Sequence, residues 1–425
     1  MAPNLLLHVG LPKTGTSSIQ KFLFDNKEFL LKQGFYIPTF LQRNELRGAV
    51  HAWTSLLAFD ETRIEPLVID FGMQDTEKRR SMRANKWEQI NNALKTYPEH
   101  TWIVSDEILT ARMIDRRDLE SLRDNFINLF TDCKVVFFLR NQLSSAIGQW
   151  STDLINGSVQ KEMALPSDLP EDPQRYLHHQ NLLTLWHSCM PDLEFIVKLY
   201  DKNRLLDVFA DIAGIDISQM ACASLRENSS IPACCLDLLA RYNERHPFLE
   251  GSRPPSEMRR YIPLALSRAF YGHPAFKPDA NIRKAYNEYY ADSDEWVRSA
   301  YFPESTHLWN EADIPPEVEP SSFVLGRDLE TSILNLLDDH TLRYQNADKQ
   351  SFRKKLMRKF LLLKLDHDLE TSILNLLKDD AMPFNNGIRK SFGKRLMSRL
   401  LLLKQGLRNK QNLVLGWVKA TVLRS

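Results

Sequence analysis

Residues 5–18 of the chain read LLLHVGLPKTGTSS, and this stretch decides the fold. The apolar run 5–7 predicts a buried strand, and a helical spacing of apolar residues begins directly after a turn that contains Gly and Pro. Where a strand, a glycine-containing turn and a helix start follow one another, backbone N–H groups and the helix dipole converge on one anion. The stretch therefore predicts a phosphate-binding loop made by Lys13, Thr14, Gly15, Thr16, Ser17 and Ser18.

The position of the lysine separates this loop from that of ordinary nucleoside triphosphatases. A Walker A loop, G-x-x-x-x-G-K-[ST], places its lysine immediately before a serine or threonine. Gly10 and Gly15 have the required spacing, but Thr16 stands at the lysine position and Lys13 lies two residues before Gly15. The displaced lysine counts against an ATPase or a GTPase.

A family resemblance accounts for the displaced lysine. The run 12–17, Pro-Lys-Thr-Gly-Thr-Ser, resembles the 5′-phosphosulfate loop of sulfotransferases that use 3′-phosphoadenosine 5′-phosphosulfate (PAPS), in particular those of bacterial type. The resemblance extends over about residues 1–312, and its two specific motifs lie within the first 150 residues. The resemblance implies that PAPS is the sulfuryl donor and that the reaction requires no metal ion. A chance loop rich in Gly and Thr is the alternative.

Strands that alternate with helices predict an α/β fold. Further strands are expected at 34–38, 101–105, 134–140 and 193–200, with helices at 17–32, 79–96 and 117–130 between them. This order predicts a P-loop-like central parallel sheet with helices on both faces. Ligands of such sheets lie beyond the carboxyl ends of the strands. Lys13, the run 105–107 and Arg140 all follow predicted strands, so we expect them to share one site.

Arg140 is the second expected anion ligand. A guanidinium at the end of a central strand can hold a phosphate with two hydrogen bonds. The resemblance implies that Arg140 binds the 3′-phosphate of PAPS, together with a serine eight residues later. Residue 148 is Gly, so either Ser144 or Ser145 substitutes, or the phosphate has fewer contacts. An arginine in a structural ion pair is the alternative.

Two residues compete for the role of catalytic base. Glu107 lies where cytosolic members of the family carry a catalytic histidine, and His51 resembles a histidine motif of bacterial members. Each has a structural alternative: Glu107 as a helix cap and His51 as a core histidine. Asp106 is a third, weaker candidate. His178 and His179 are adjacent without the spacing of metal ligands, and we expect them on a helix surface.

Composition indicates a water-soluble globular protein. The chain has 425 residues, of which 43% are hydrophobic and 26% charged. It contains no apolar run near the roughly 18 residues of a spanning helix, and no basic region precedes the first strand, so neither a membrane anchor nor a signal peptide is expected. The five cysteines are odd in number and lack metal-ligand spacing. We therefore expect a reduced, cytoplasmic protein.

The C-terminal region differs from the rest in charge and in repetition. Residues 351–425 contain 17 Lys and Arg against 5 Asp and Glu, which leaves a net charge of about −11 on residues 1–350. The segments 328–364 and 368–404 are identical at 21 of 37 positions, so this is a 40-residue internal duplication. Each copy ends in a basic amphipathic helix, as found in proteins that contact anionic membranes at the inner face. A helical hairpin packed on the body is the alternative. An acidic body excludes nucleic acid as a partner.

These observations give a three-part organisation and an expected activity. We expect a sulfotransferase α/β domain at 1–312, a Pro-rich linker at 313–327 and a helical repeat region at 328–425. The resemblance implies transfer of a sulfuryl group from PAPS to a hydroxyl, less readily an amine, of a glycan or lipid-linked glycan. A kinase-like phosphotransferase and a non-catalytic nucleotide-binding scaffold are the alternatives.

Overall fold

The protein is described by a computed structural model. It describes residues 2–42, 50–113, 115–218, 231–246 and 273–316, and a few residues at 220, within 262–270 and within 330–337. Contacts divide the chain into two units, residues 1–325 and 326–425. The duplicated segments, with the basic amphipathic helices predicted for them, lie almost entirely outside the described residues, as does most of the expected linker.

Five parallel strands form one sheet, as the alternation of elements predicts. The strands are β1 (Leu5–His8), β2 (Phe35–Tyr36), β3 (Thr101–Ser105), β4 (Cys133–Leu139) and β5 (Glu194–Leu199). They are arranged in the order β2-β3-β1-β4-β5. In the register of β1, His8 lies opposite Ser105 of β3 and Val136 of β4. Because β1 lies between β3 and β4, the segments that follow these three strands leave the sheet side by side.

Helices connect the strands and cover the sheet. The α-helices of the described part are α1 (Thr16–Asp25), α2 (Lys27–Lys32), α3 (Trp53–Ala58), α4 (Pro66–Asp70), α5 (Thr76–Thr96), α6 (Ile108–Arg112), α7 (Arg116–Asn125), α8 (Gln142–Ile155), α9 (Glu171–Leu177), α10 (His179–Cys189), α11 (Leu205–Ala213), α12 (Ala233–Arg245) and α13 (Ala280–Tyr301). None of them is long and apolar enough to cross a bilayer.

Alternation along the strands divides the core between the two faces of the sheet. Leu6 of β1 and Phe138 of β4 pack with Phe22 of α1 and Phe209 of α11 in one buried cluster. On β4 the preceding residue, Phe137, meets Trp186 of α10 edge to face, with ring centroids 5.4 Å apart. Each large side chain buried in this way contributes about 2 kcal/mol to stability. The central strands are therefore anchored on both faces, and they hold the segments at their carboxyl ends in place.

One predicted helix is two helices in the structure. The pattern at 17–32 predicts a single helix, whereas α1 ends at Asp25 and α2 begins at Lys27. Asn26 lies between them with φ −106° and ψ 10°, and its side-chain Nδ2 donates to the carbonyl of Phe22 at 2.9 Å. A short amide side chain of this kind competes with the backbone for its own hydrogen bonds, which interrupts a helix.

Candidate functional site

The loop between β1 and α1 has an unusual backbone. Gly10, Lys13 and Gly15 all have positive φ, of 85°, 68° and 76° respectively. Within the described residues, Lys13 is the only non-glycine residue with this conformation. Such a conformation costs an L-residue about 1–2 kcal/mol and is typical of functional loops. Thr14 closes the turn, with its hydroxyl donating to the carbonyl of Leu11 at 2.6 Å.

Both glycines are required by close packing as well as by φ. A Cβ on Gly10 would lie 2.8 Å from the Cβ of Glu107. A Cβ on Gly15 would lie 2.4 Å from the Cδ2 of Leu205 and 3.0 Å from the ring of Tyr200. The loop is therefore packed between the segments that follow β3 and β5. This contact places Glu107 directly beside the loop, as the sequence predicts.

The N-terminus of α1 offers unpaired donors. Gly15 caps the helix without a side-chain hydrogen bond, and the first turn carries no acidic residue. Ser18 is the first residue whose N–H bonds back to the carbonyl of Gly15, at 2.9 Å. Among the described residues, the N–H groups of Gly15, Thr16 and Ser17 have no hydrogen-bond partner. An anion at this position would meet these three donors and the positive end of the helix dipole.

Lys13 extends from the loop across to α8. Its Nζ donates to the hydroxyl Oγ1 of Thr152 at 2.5 Å. Burial lowers the pKa of Lys13, while the charges of Asp153 and Glu107 oppose this shift and that of Arg140 adds to it. No carboxylate in the described part of the chain lies within ion-pair distance of Nζ. Its positive charge therefore stays available to an anion at the loop.

Arg140 lies beside Lys13, directly after β4. Its Nη1 donates to the carbonyl of Lys13 at 2.9 Å, and its guanidinium carbon lies 5.4 Å from the centroid of the Tyr200 ring. Burial lowers its pKa, although an arginine remains charged. Among the residues that the structure describes, Arg140 has no carboxylate partner. A structural ion pair, the alternative considered for this residue, is absent from that part of the chain.

Glu107 is the base candidate with access to solvent. It follows β3 and is partly exposed. Its Oε2 accepts a hydrogen bond from Nε2 of Gln20, at 2.5 Å, across from α1. Gln20 is itself buried, so the amide fixes the carboxylate beside the loop. This position, together with the close approach to Gly10, is the one that a base for a reaction at the loop would need.

His51 and Asp106 are enclosed by protein. His51 has no exposed surface, and its Nδ1 accepts from the N–H of Ser105 at 3.0 Å. Burial lowers its pKa to about 4, and its Nε2 has no partner among the described residues. Asp106 is equally buried, and its Oδ2 accepts from the hydroxyl of Ser55 at 2.7 Å. Burial raises the pKa of Asp106 to about 7. Both residues fasten β3 to the segment around α3.

The expected serine ligands have other contacts in the structure. The hydroxyl of Ser144 donates to the carbonyl of Asp313 at 3.0 Å, while Ser145 is buried. Asp294 of α13 holds the same segment, because its Oδ2 accepts from Nε1 of Trp309 at 2.7 Å. Residues 309–313 therefore lie on the start of α8, and a phosphate contact by either serine stays a prediction.

Residues of α13 and 306–314 also line a surface groove of about 430 Å³, which includes neither Lys13 nor Arg140.

Residues that sequence reasoning missed complete the surroundings of Lys13. Thr152 and Asp153 approach it from α8, and Tyr200 faces both Gly15 and Arg140. A helical spacing of four from position 148 is the only sequence signal that points to Thr152. The expectation for His179 was wrong: it is 1% exposed, because it packs under the start of α8 rather than on a helix surface.

Comparisons with known proteins add no family assignment. No protein-family model matches the chain, and neither a curated protein nor a solved structure matches it significantly. Within the described residues, no group of three or more His, Cys, Asp or Glu side chains is arranged to hold a metal ion. The four cysteines in this part of the chain are buried.

Proposed function

We propose that the protein is a sulfotransferase that takes its sulfuryl group from PAPS. The observation that supports this most is the pairing of two cations at one edge of the sheet. Lys13 and Arg140 lie next to each other, each without a carboxylate partner among the described residues, beside the uncapped N-terminus of α1. Two separate positive groups match a ligand with a phosphosulfate at one end and a second phosphate at the other.

The residues present fit this donor. The N–H groups of Gly15, Thr16 and Ser17 and the ammonium of Lys13 would hold the 5′-phosphosulfate, with the hydroxyl of Ser18 nearby. Arg140 would hold the 3′-phosphate. PAPS supplies the activated sulfuryl group when it is bound. Lys13 stabilises negative charge at the leaving side, which is where charge develops during transfer of such a group.

Glu107 is the base that the geometry favours. A base must lie near the acceptor hydroxyl and be able to receive its proton. Glu107 is partly exposed beside Gly10, whereas His51 has no exposed surface and its Nδ1 already accepts the N–H of Ser105. Glu107→Gln should therefore abolish most turnover while nucleotide still binds. His51→Gln should retain transfer, and the opposite result would move the role of base to His51.

A nucleotide-binding experiment tests the proposal. Adenosine 3′,5′-bisphosphate should raise the melting temperature, by the equivalent of about 2.7 kcal/mol at a hundred times its dissociation constant. Adenosine 5′-monophosphate is the matched control that lacks the second phosphate, and it should stabilise far less. Arg140→Ala should remove the difference between the two nucleotides. A larger shift with ATP and magnesium would favour a P-loop kinase-like phosphotransferase instead.

The P-loop-like arrangement rests on β1. In this sheet β1 carries the loop and is flanked by β3 and β4, so that the loop, Glu107 and Arg140 converge. A Walker A loop would place its lysine at position 16, directly after Gly15, whereas this lysine is residue 13; this difference counts against a kinase. Binding of the bisphosphate without turnover on any acceptor would support the non-catalytic scaffold.

The acceptor and the cellular setting are further parts of the proposal. We place the protein in the cytoplasm, with a hydroxyl of a glycan or lipid-linked glycan as acceptor and the basic C-terminal segments on an anionic membrane surface. A screen of glycans, lipid-linked glycans and amines with radiolabelled PAPS would identify the acceptor class. Labelling of amines alone would contradict the hydroxyl assignment.

A further inference from the structure

The side chain of Lys13 follows a path along α8 that depends on two residues one helical turn apart. A Cβ on Gly148 would lie 3.3 Å from the Cγ of Lys13 and 3.5 Å from its Cδ. Four residues later, Oγ1 of Thr152 accepts from the Lys13 Nζ at 2.5 Å. Residues four apart share one face of a helix. The glycine therefore leaves room for the aliphatic stem, and the threonine meets the ammonium.

The hydroxyl of Thr152 is oriented by its own helix. It donates to the carbonyl of Gly148 at 3.0 Å, which uses its single proton. Its lone pairs are left for the Lys13 ammonium, so the hydroxyl acts only as an acceptor towards it. The neighbouring hydroxyl of Ser151 has no hydrogen-bond partner among the described residues.

We infer that Gly148 and Thr152 form a seat that positions the Lys13 ammonium at the anion site, with Thr152 as a positioning residue. The charged groups that face Lys13 are Asp153 on α8, Glu107 after β3 and Arg140 after β4. A carboxylate in ion-pair contact would cancel the charge that an anion needs. A hydroxyl holds the ammonium and leaves its full charge in place. A glycine rather than a serine at position 148 therefore leaves room for the aliphatic part of the Lys13 side chain.

The reactivity of Lys13 with an acylating reagent tests the seat without any assay of transfer. Acetylation of Lys13 is measured by peptide mass spectrometry at a series of pH values in the ligand-free, full-length protein. Thr152→Val removes the acceptor that stabilises the charged amine, so its rate profile should move to lower pH. At a fixed pH below the midpoint, acetylation should be about tenfold faster. If Thr152→Val changed only the access of the reagent to Lys13, the acetylation rate would change by the same factor at every pH and the midpoint would stay where it is.

Three further variants give the matched comparisons. Thr152→Ser keeps the hydroxyl and should restore the wild-type profile, while Ser151→Ala should leave it unchanged. Gly148→Ala places a methyl 3.3 Å from the Cγ of Lys13, so the stem shifts by a few tenths of an ångström and the contact with Thr152 weakens. Its profile should therefore move to lower pH, in the same direction as that of Thr152→Val. Thermal melting confirms that each variant is folded. A Thr152→Val midpoint equal to that of wild type, or an equal shift in Ser151→Ala, overturns the inference.

The role of the seat in turnover rests on the proposed function, and a kinetic measurement separates the two. Thr152→Val should lower kcat by about tenfold with little change in the affinity for adenosine 3′,5′-bisphosphate, since the lysine acts mainly as charge develops. Thr152→Ser should restore kcat. Shifted acetylation profiles in a protein that transfers no sulfuryl group would support the seat and contradict the proposed function. Unshifted profiles in an active enzyme would do the reverse.

Discussion

Replacing Lys13 by glycine should make the protein more stable than replacing it by alanine. Lys13 has φ 68°, a conformation that glycine adopts without the steric penalty of a Cβ. Both substitutions remove the amine and with it the hydrogen bond to Thr152. The contributions of the lost side chain therefore cancel largely in the comparison, and the backbone conformation is what remains.

The expected difference follows from two opposing quantities. The left-handed conformation costs alanine about 1–2 kcal/mol relative to glycine. Glycine loses more conformational freedom on folding, which offsets about 0.4–1 kcal/mol of this gain. The free energy of unfolding of Lys13→Gly should therefore be about 0.5–1 kcal/mol higher than that of Lys13→Ala. In a unit of 325 residues, that is a difference of about 1 °C in melting temperature.

Urea unfolding of the two variants measures this difference, with a control pair in a regular helix. Lys21 lies inside α1, and its side chain is 43% exposed. There the order should reverse, because glycine in a helix interior is about 1 kcal/mol less stable than alanine. Equal stabilities at position 13, or alanine above glycine, would refute the strain argument. If both Lys13 variants also lose turnover, the strained lysine is retained for function at the expense of stability.

Four more outcomes are expected. Lys13→Ala should lower turnover far more than nucleotide affinity, and Arg140→Ala should mainly weaken binding, which steady-state kinetics and calorimetry distinguish. Gly15→Ala should cost about 3 kcal/mol in urea unfolding, because the new methyl overlaps its neighbours at positive φ. Burial lowers the pKa of His179 to about 3, so its contribution to stability is present above pH 6.5 and is lost as the pH falls. Between pH 7 and pH 5, the free energy of unfolding of His179→Gln should therefore fall by about 2 kcal/mol less than that of wild type. Full-length protein should sediment with anionic vesicles and be released by salt, whereas residues 1–325 alone should fold and stay in the supernatant. Binding that does not respond to salt, or aggregation of residues 1–325, would contradict this prediction.

The sequence by itself determined the elements whose signal is local. The run 5–18 specifies a strand, a turn and a helix start through the spacing of its apolar residues and its glycines, and the structure has them at those positions. The apolar run 134–139 likewise specifies β4 and leaves Arg140 at its end. Parallel strands align their carboxyl ends, so the meeting of Lys13, Glu107 and Arg140 at one edge follows from the element order.

Only the tertiary structure decided what surrounds those residues. The contact of Lys13 with Thr152 joins positions 139 residues apart, and no local pattern contains it. Burial of His51 and His179 depends on which elements pack over them, whereas a histidine in the sequence looks the same inside and outside. The break at Asn26 came from a side-chain hydrogen bond that apolar spacing does not register. The periodicity of apolar residues shows which face of a helix or strand is buried, but the segment that packs against that face is distant in the sequence. For this reason the positions of Lys13 and Arg140 at the ends of strands were predictable, whereas the residues around them were not.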